Sequence, residues 1–220
     1  MNIRVAVDIV IFSLLDTQLR VLLIKRGIPP FKGRMAIPGG FIHTNESLER
    51  AALRELKEET GVRDVFLEQL YSFGDPRRDP RGRVLSVAYY ALIPGEHKLR
   101  AGSDASEAQW YPVDQLPPLA FDHRRIVDYA LERLRNKIEY TSVGFKLLPR
   151  KFSLPELQAV YETILGKDLD KRNFRKKMDL LQILKPLNEW RRTGRKPARL
   201  YTFAGKDFER FKDKGILFPF

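Results

Sequence analysis

The chain has 220 residues, 43% hydrophobic and 31% charged, an ordinary mix for a globular protein with a buried core, and its length favours two domains of ~100–150 residues. With no cysteine, disulfides, thiolate zinc sites and cysteine nucleophiles are excluded, and three histidines argue against a histidine-rich metal centre. The net charge of +12 is uneven: residues 1–140 carry 21 basic and 19 acidic side chains, whereas residues 141–220 carry 19 and 9, pointing to two domains with different partners.

The opening MNIRVAVDIVIFSLLD reads as a buried strand and not a signal peptide, because polar residues break it and no small-residue cleavage site follows. No apolar run approaches the ~20 residues of a membrane-spanning helix, so a cytoplasmic protein without a membrane partner is expected. Val5–Leu15 and Leu19–Lys25 are predicted strands around a polar turn at Asp16–Gln18. A Gly/Pro-rich loop covers Gly27–Gly40, and Asn45 is expected to open a helix that Gly61 stops. Strands are predicted at Val65–Phe73, Val84–Ile93 and near Ala108–Val113, with a charged loop at Asp75–Arg83. A helix over Leu119–Asn136 closes the first domain. The boundary is placed within 137–145, giving domains 1–140 and 141–220. The mixture of strands and helices implies an α+β or α/β first domain.

In the second domain Ser153 and Glu156 form a capping box ahead of an apolar helical stripe that Gly166 ends. Asp170 can cap a second helix, with Phe174, Met178 and Leu181 on its apolar face and Lys171, Arg172, Asn173, Arg175 and Lys176 on the other. Two helices joined by a short turn, the second basic, match a helix-turn-helix. Gln182–Leu187 and Ala198–Phe203 can pair as strands around a loop at Asn188–Pro197 that holds Arg191, Arg192, Arg195 and Lys196, with Arg199 in the returning strand. A basic hairpin behind a helix-turn-helix is a wing able to reach phosphates or a minor groove. Charge on both elements favours double-stranded DNA over a dimerisation role. Asn173, Arg172 and Arg175 are placed for base edges, and the wing cations for phosphates.

The segment Gly40–Val62, GFIHTNESLERAALRELKEETGV, holds the chemistry. Glu55, Glu58 and Glu59 fall at i, i+3 and i+4 on one helix face. Leu48, Ala51, Ala52 and Leu56 form the buried stripe, and Glu55 and Glu59 point into it. Inward carboxylates are costly unless a cation neutralises them, and an oxygen-only set suits a hard divalent ion, Mg²⁺ or Mn²⁺. Arg54 can pair with Glu46, while Gly39 and Gly40 let the backbone come close to an ion or phosphate.

This segment resembles the Nudix hydrolase box, G-x5-E-x7-R-E-U-x-E-E-x-G-U, at Gly40, Glu46, Arg54, Glu55, Leu56, Glu58, Glu59, Gly61 and Val62. The resemblance implies a Nudix α/β/α sandwich that hydrolyses a nucleoside diphosphate linked to another group. The metal would be held by Glu55, Glu58, Glu59 and the Gly39 carbonyl. A further carboxylate from a later loop would be Asp104 or Glu107. The stretch YSFGDPRRDPRGRVLSVAYYAL resembles the ADP-ribose-type branch. There Arg78 and Arg81 either contact a phosphate or, with Asp79 and the prolines, build a rigid turn. His123 reads as a structural histidine.

FSLPELQAVYETILGKDLDKRNFRKK and GRKPARLYTF resemble the second domain of Nudix-related transcriptional regulators. That family implies a homodimer on operator DNA, a Nudix domain that binds and here hydrolyses ADP-ribose to AMP and ribose 5-phosphate, and ligand-weakened DNA binding. The competing expectations are a sensor that binds without turnover and a housekeeping Mg²⁺-dependent hydrolase whose basic domain serves RNA binding or dimerisation.

Overall fold

The computed structural model describes residues 2–61, 65–95, 105–192 and 197–204. Val62, Asp104, Arg195 and Lys196, named above, lie outside them. Contacts divide the chain into two units, Met1–Leu15 with Leu19–Glu132, and Asp16–Gln18 with Arg133–Phe220.

In the first unit, β1 (Arg4–Leu15) and β2 (Gln18–Arg26) form a hairpin. Asp16 and Thr17 turn it with φ of 49° and 61°, the mirror-image turn that matches strand twist. Met35–Ala36 (β3) and Gly39–Phe41 (β4) are short strands on β2 and β1, inside the segment expected to be a loop. Only their long-range partners make them strands. Helix α1 (Leu48–Thr60) follows, then β5 (Phe66–Phe73), β6 (Val84–Ile93) and β7 (Ala105–Pro112). The sheet order is β3-β2-β1-β6-β5, with β4 on β1 and β7 on β2. β1 runs parallel to β6 from Arg4↔Val84 to Ser13↔Ile93.

Because β1 is covered on both faces, its sequence is apolar almost throughout. Val7, Ile9 and Ile11 pack with Ala51, Ala52 and Leu56 of α1 and with Val87 and Tyr89. On the opposite face Val10 and Phe12 are fully buried. That face also meets α2 (His123–Ile138), whose Tyr129 packs on Phe73 of β5. Helix α2 starts at His123 and not Leu119, because Leu119 bridges Met35, Ala120 N–H donates to Met35 O, and Phe121 takes φ 51°. The division of units falls inside α2, earlier than 137–145. Its last turns belong to the second unit, where Arg135 Nε donates to Ile164 O (3.0 Å).

The second unit continues with a 3₁₀ turn (Val143–Leu147), β8 (Phe152–Ser153), α3 (Leu154–Leu165), α4 (Lys171–Leu181), β9 (Leu184–Arg192) and β10 (Pro197–Phe203). The capping box is present in full: Ser153 N–H donates to Glu156 Oε2 (2.6 Å), and Glu156 N–H to Ser153 Oγ (3.4 Å). Gly166, at φ 69°, closes α3, and Asp170 Oδ1 caps α4 by accepting from Asn173 N–H (2.8 Å). Tyr161 and Phe174 pack edge-to-face at 5.6 Å, joining the two helices. β9 begins at Leu184, since Gln182 adopts φ 49°, and it runs on through Arg191 and Arg192, which were expected in the loop. Two helices followed by a hairpin, in a sheet ordered β8-β10-β9, make a winged helix. Among the described residues no helix is long and apolar enough to cross a membrane.

Candidate functional site

Ser47, not Asn45, caps α1: its Oγ accepts from Arg50 N–H at 3.2 Å. Gly61, at φ 75°, ends the helix. This frame buries Ala51, Ala52, Glu55, Leu56 and Glu59 on one side, so Glu55 and Glu59 lie within the apolar stripe. Glu58 is half exposed at 55%. Arg54 is the hub of the cluster. Its Nη2 and Nε donate to Glu46 (2.7 and 3.1 Å), and its Nη1 to Glu55 (2.6 Å) and Glu58 (3.2 Å). Nη2 also reaches the Phe41 carbonyl, tying α1 to β4. Arg54, helped by the His43 N–H, pulls the Glu46 carboxyl down to about 2. Burial pushes the Glu55 carboxyl up despite Arg54, so its charge is under-compensated.

Gly39 N–H donates to Glu59 Oε2 (2.8 Å), setting that carboxylate against the strand. A Cβ at Gly39 would collide with the Val7 carbonyl, so that position needs the bare backbone, while one at Gly40 would push the Glu55 carboxylate out of its place. Among the described residues no three carboxylate or imidazole groups stand together as a ready coordination shell. Glu55 and Glu58 turn to Arg54, and Glu59 to Gly39. The donor set still fits a hard divalent cation: three carboxylates from one helix face, one of them buried and under-neutralised, beside backbone open to close approach.

Of these residues Gly39, Gly40, Phe41, His43, Glu55 and Glu59 border a cavity of about 340 Å³, within the ~300–1,000 Å³ common for ligand sites, whereas Glu46, Arg54 and Glu58 do not line it. Arg78 forms part of its wall. The guanidinium is spent on Asp122 (2.7 and 3.0 Å) and Asp8 (3.1 Å), with the side chain only 4% exposed. Burial opposes its charge, but the two carboxylates outweigh that and hold it firmly protonated. Arg81 differs. Asp79 accepts from its N–H and its guanidinium (2.7–3.2 Å), which is the rigid turn, yet one edge still faces the cavity. Its guanidinium lies 5.1 Å from the Phe41 ring centroid and 5.5 Å from that of Phe121. Arg26 lies 4.8 Å from Phe121 on the same cavity wall. Glu107 is exposed on β7, 3.6 Å from Lys25, and does not line this cavity.

Sequence reasoning missed Arg26, Phe41, Phe121 and Asp8. Asp8 had a signal, a lone carboxylate in the apolar run VAVDIVIF. The other three carry none. His123, expected to be structural, also lines the cavity; it is buried, its Nδ1 accepts from Ile37 N–H (3.1 Å), and its Nε2 sits 3.6 Å from Asp8. Burial lowers its pKa, a shift that Asp8 and Asp122 oppose and Arg78 reinforces. The unfolded chain therefore binds this proton first. Stability is fully present above ~6.5 and falls as pH drops through that value toward the lower folded pKa. Thermal melts between pH 7.5 and 5 should show that fall, and His123→Gln should flatten it; an unchanged slope would refute the assignment.

In the second unit, Lys171, Arg172, Asn173, Arg175 and Lys176 are all exposed on α4, opposite buried Phe174, Met178 and Leu181. An open trough of about 790 Å³ runs along this face from Asp170 to Gln182. The wing cations are not equivalent. Arg191 donates to Glu156 (2.9 Å) and to Lys151 O (3.3 Å), so it braces β9 against α3. Arg192 and Arg199 are exposed, the latter giving Nε–H to Leu187 O (2.9 Å).

The pattern of the NUDIX domain family matches residues 4–130, and that of the NrtR DNA-binding winged helix domain matches residues 144–203. The chain is 38% identical over 207 residues to the ADPR responsive transcriptional repressor NtrR of Acinetobacter baylyi, covering 92% of this chain and 83% of that protein. It is 45% identical over 127 residues to the ADP-ribose pyrophosphatase of Methanocaldococcus jannaschii, covering 57% and 72%. The fold matches the crystal structure of Shewanella oneidensis NrtR complexed with a 27mer DNA at a TM-score of 0.80 and 38% identity, over 94% of this chain and 95% of that one.

Proposed function

The chain belongs to the Nudix family, with an NrtR-type winged helix behind its Nudix domain, and from that premise we propose that it is a repressor released from operator DNA by ADP-ribose. The observation that carries the reading is the joining, in one chain, of a complete carboxylate helix beside a cavity and an exposed cationic α4 with a basic wing. The same cavity hydrolyses ADP-ribose to AMP and ribose 5-phosphate, and the protein acts as a homodimer. A divalent ion, Mg²⁺ or Mn²⁺, would be held by Glu55, Glu58, Glu59 and the Gly39 carbonyl. When bound it supplies a water of lowered pKa and charge neutralisation at the diphosphate.

The chain's own residues do the rest. Glu58, the most open of the three carboxylates, takes the proton of the attacking water. Arg54 and Glu46 hold the helix and loop that aim it. Arg81 and Arg26, ranged around Phe121, meet the diphosphate, while Arg78 keeps the wall behind them rigid. On DNA, Arg172, Asn173 and Arg175 reach base edges, and Lys171, Lys176, Arg192, Arg195, Lys196 and Arg199 reach phosphates. For ADP-ribose to act as inducer, it must bind the free protein more tightly than the DNA-bound protein.

Two measurements on the purified protein test this: AMP release from ADP-ribose with Mg²⁺ or EDTA, and fluorescence anisotropy of its own promoter duplex titrated with ADP-ribose. Metal-dependent AMP release and ADP-ribose-driven release of the duplex are expected. A protein with neither duplex affinity nor response to ADP-ribose would end the proposal.

A further inference from the structure

The two most exposed large apolar side chains among the described residues are Leu180 (72%) and Trp190 (62%). Both belong to the elements offered to DNA, α4 and the wing. An indole this exposed forgoes burial worth more than that of nearly any other side chain.

The register of the wing fixes which way Trp190 faces. β9 and β10 pair as Trp190↔Arg199, Arg191↔Ala198 and Arg192↔Pro197. Directly opposed residues share a face, and neighbours along a strand alternate. Arg191 lies on the inner face, bonded to Glu156 and to Lys151 O beside α3. Trp190, Arg192 and Arg199 therefore occupy the outer face together. The wing presents a flat aromatic ring between two exposed guanidiniums, in a region where residues 141–220 carry 19 basic and 9 acidic side chains. The nearest acid in sequence, Glu189, is already taken by Lys151 Nζ at 2.7 Å.

We propose that Trp190 is a DNA contact: its indole lies against the sugar edge of the duplex groove while Arg192 and Arg199 take the phosphates on either side. The inference rests on the repressor reading above and adds a wing contact that charge alone does not supply. Apolar side chains reach DNA in this way at groove edges and base steps, and they favour a bent or widened duplex. Flanking cations suit a polyanion and disfavour an acid-poor apolar partner, so duplex DNA fits this face better than a protein.

A neutral ring and a cation leave different signatures. Trp190→Ala should weaken promoter-duplex binding about tenfold or more while leaving the slope of log affinity against log salt unchanged, because no phosphate loses a counter-charge. Arg192→Ala should weaken binding and reduce that slope by about one. Indole fluorescence should be quenched on adding duplex to the wild type and not to Trp190→Phe, whose remaining tryptophan is Trp110. Wild-type protein that binds duplex no more tightly than Trp190→Ala does would overturn this proposal alone. Unchanged duplex affinity with altered sedimentation would also overturn it, assigning the ring to a contact between two copies. Wild-type protein with no duplex affinity would instead overturn the repressor reading.

Discussion

Arg78→Met unfolds in urea about 3–5 kcal/mol more readily than the wild type, the usual cost of removing one partner from a buried ion pair. The side chain is 4% exposed, and its two carboxylate partners are 9% (Asp8) and 18% (Asp122) exposed. Methionine keeps the volume but leaves Asp8 buried among apolar strand residues, with the Ser86 hydroxyl donating to it and the His123 ring 3.6 Å away. Asp122 is nearer solvent and loses less. Adding Asp8→Asn to Arg78→Met should recover part of the loss, since the asparagine no longer carries an uncompensated charge; residues in one network do not add independently. The midpoint of urea unfolding for the two single variants and the double variant checks this. A loss below about 1 kcal/mol for Arg78→Met would mean that the pair is no more than a surface bridge.

Glu58→Gln has the opposite profile, with a large effect on turnover and little on stability. Half exposed, Glu58 meets Arg54 at 3.2 Å across one helical turn, a pair worth only ~0.5 kcal/mol. In the proposed mechanism its loss removes the proton acceptor of the attacking water, and ADP-ribose turnover should drop by about 10²–10⁴-fold. The melting temperature should stay within a degree or two of wild type, and ADP-ribose should still release the duplex. Turnover near wild type would take Glu58 out of the catalytic role. Parallel loss of turnover and melting temperature would make it a structural residue.

What the sequence revealed and what it hid divide along contact distance. The carboxylate helix was legible because most of what shapes it is local: the Gly61 stop, an apolar stripe, and acids at a spacing that only a helix turns into one face; its N-cap was misplaced by two residues, at Asn45 and not Ser47. The capping box of α3 and the N-cap of α4 were legible for the same reason. Strands β3 and β4 were not, since they are two and three residues long and owe their conformation to β2 and β1. The commitment of Arg78 was hidden too, its partners lying 44 and 70 residues away. Phe121 escaped because a left-handed phenylalanine has no sequence mark, and its position delays the start of α2. On the wing, the sequence did not distinguish the cations that stay exposed from the one that turns to α3. Arg191 faces inward because strand alternation continues past the point where a loop was expected.

The parallel pairing of β1 with β6 bears on how the polypeptide is made. Arg4 meets Val84 and Ser13 meets Ile93, so β1 leaves the ribosome long before its partner. At the ~5–20 residues per second of bacterial-scale synthesis, the delay is about 4–16 s. The hairpin with β2 can close at once and cover one edge. The other edge, on a strand with eight consecutive buried residues, stays open through that interval. An unpaired apolar edge is a template for other nascent chains. Slower translation would lengthen that exposure, whereas a holdase chaperone would shield it. That edge is where association with other nascent chains would begin, before the Nudix sheet is complete.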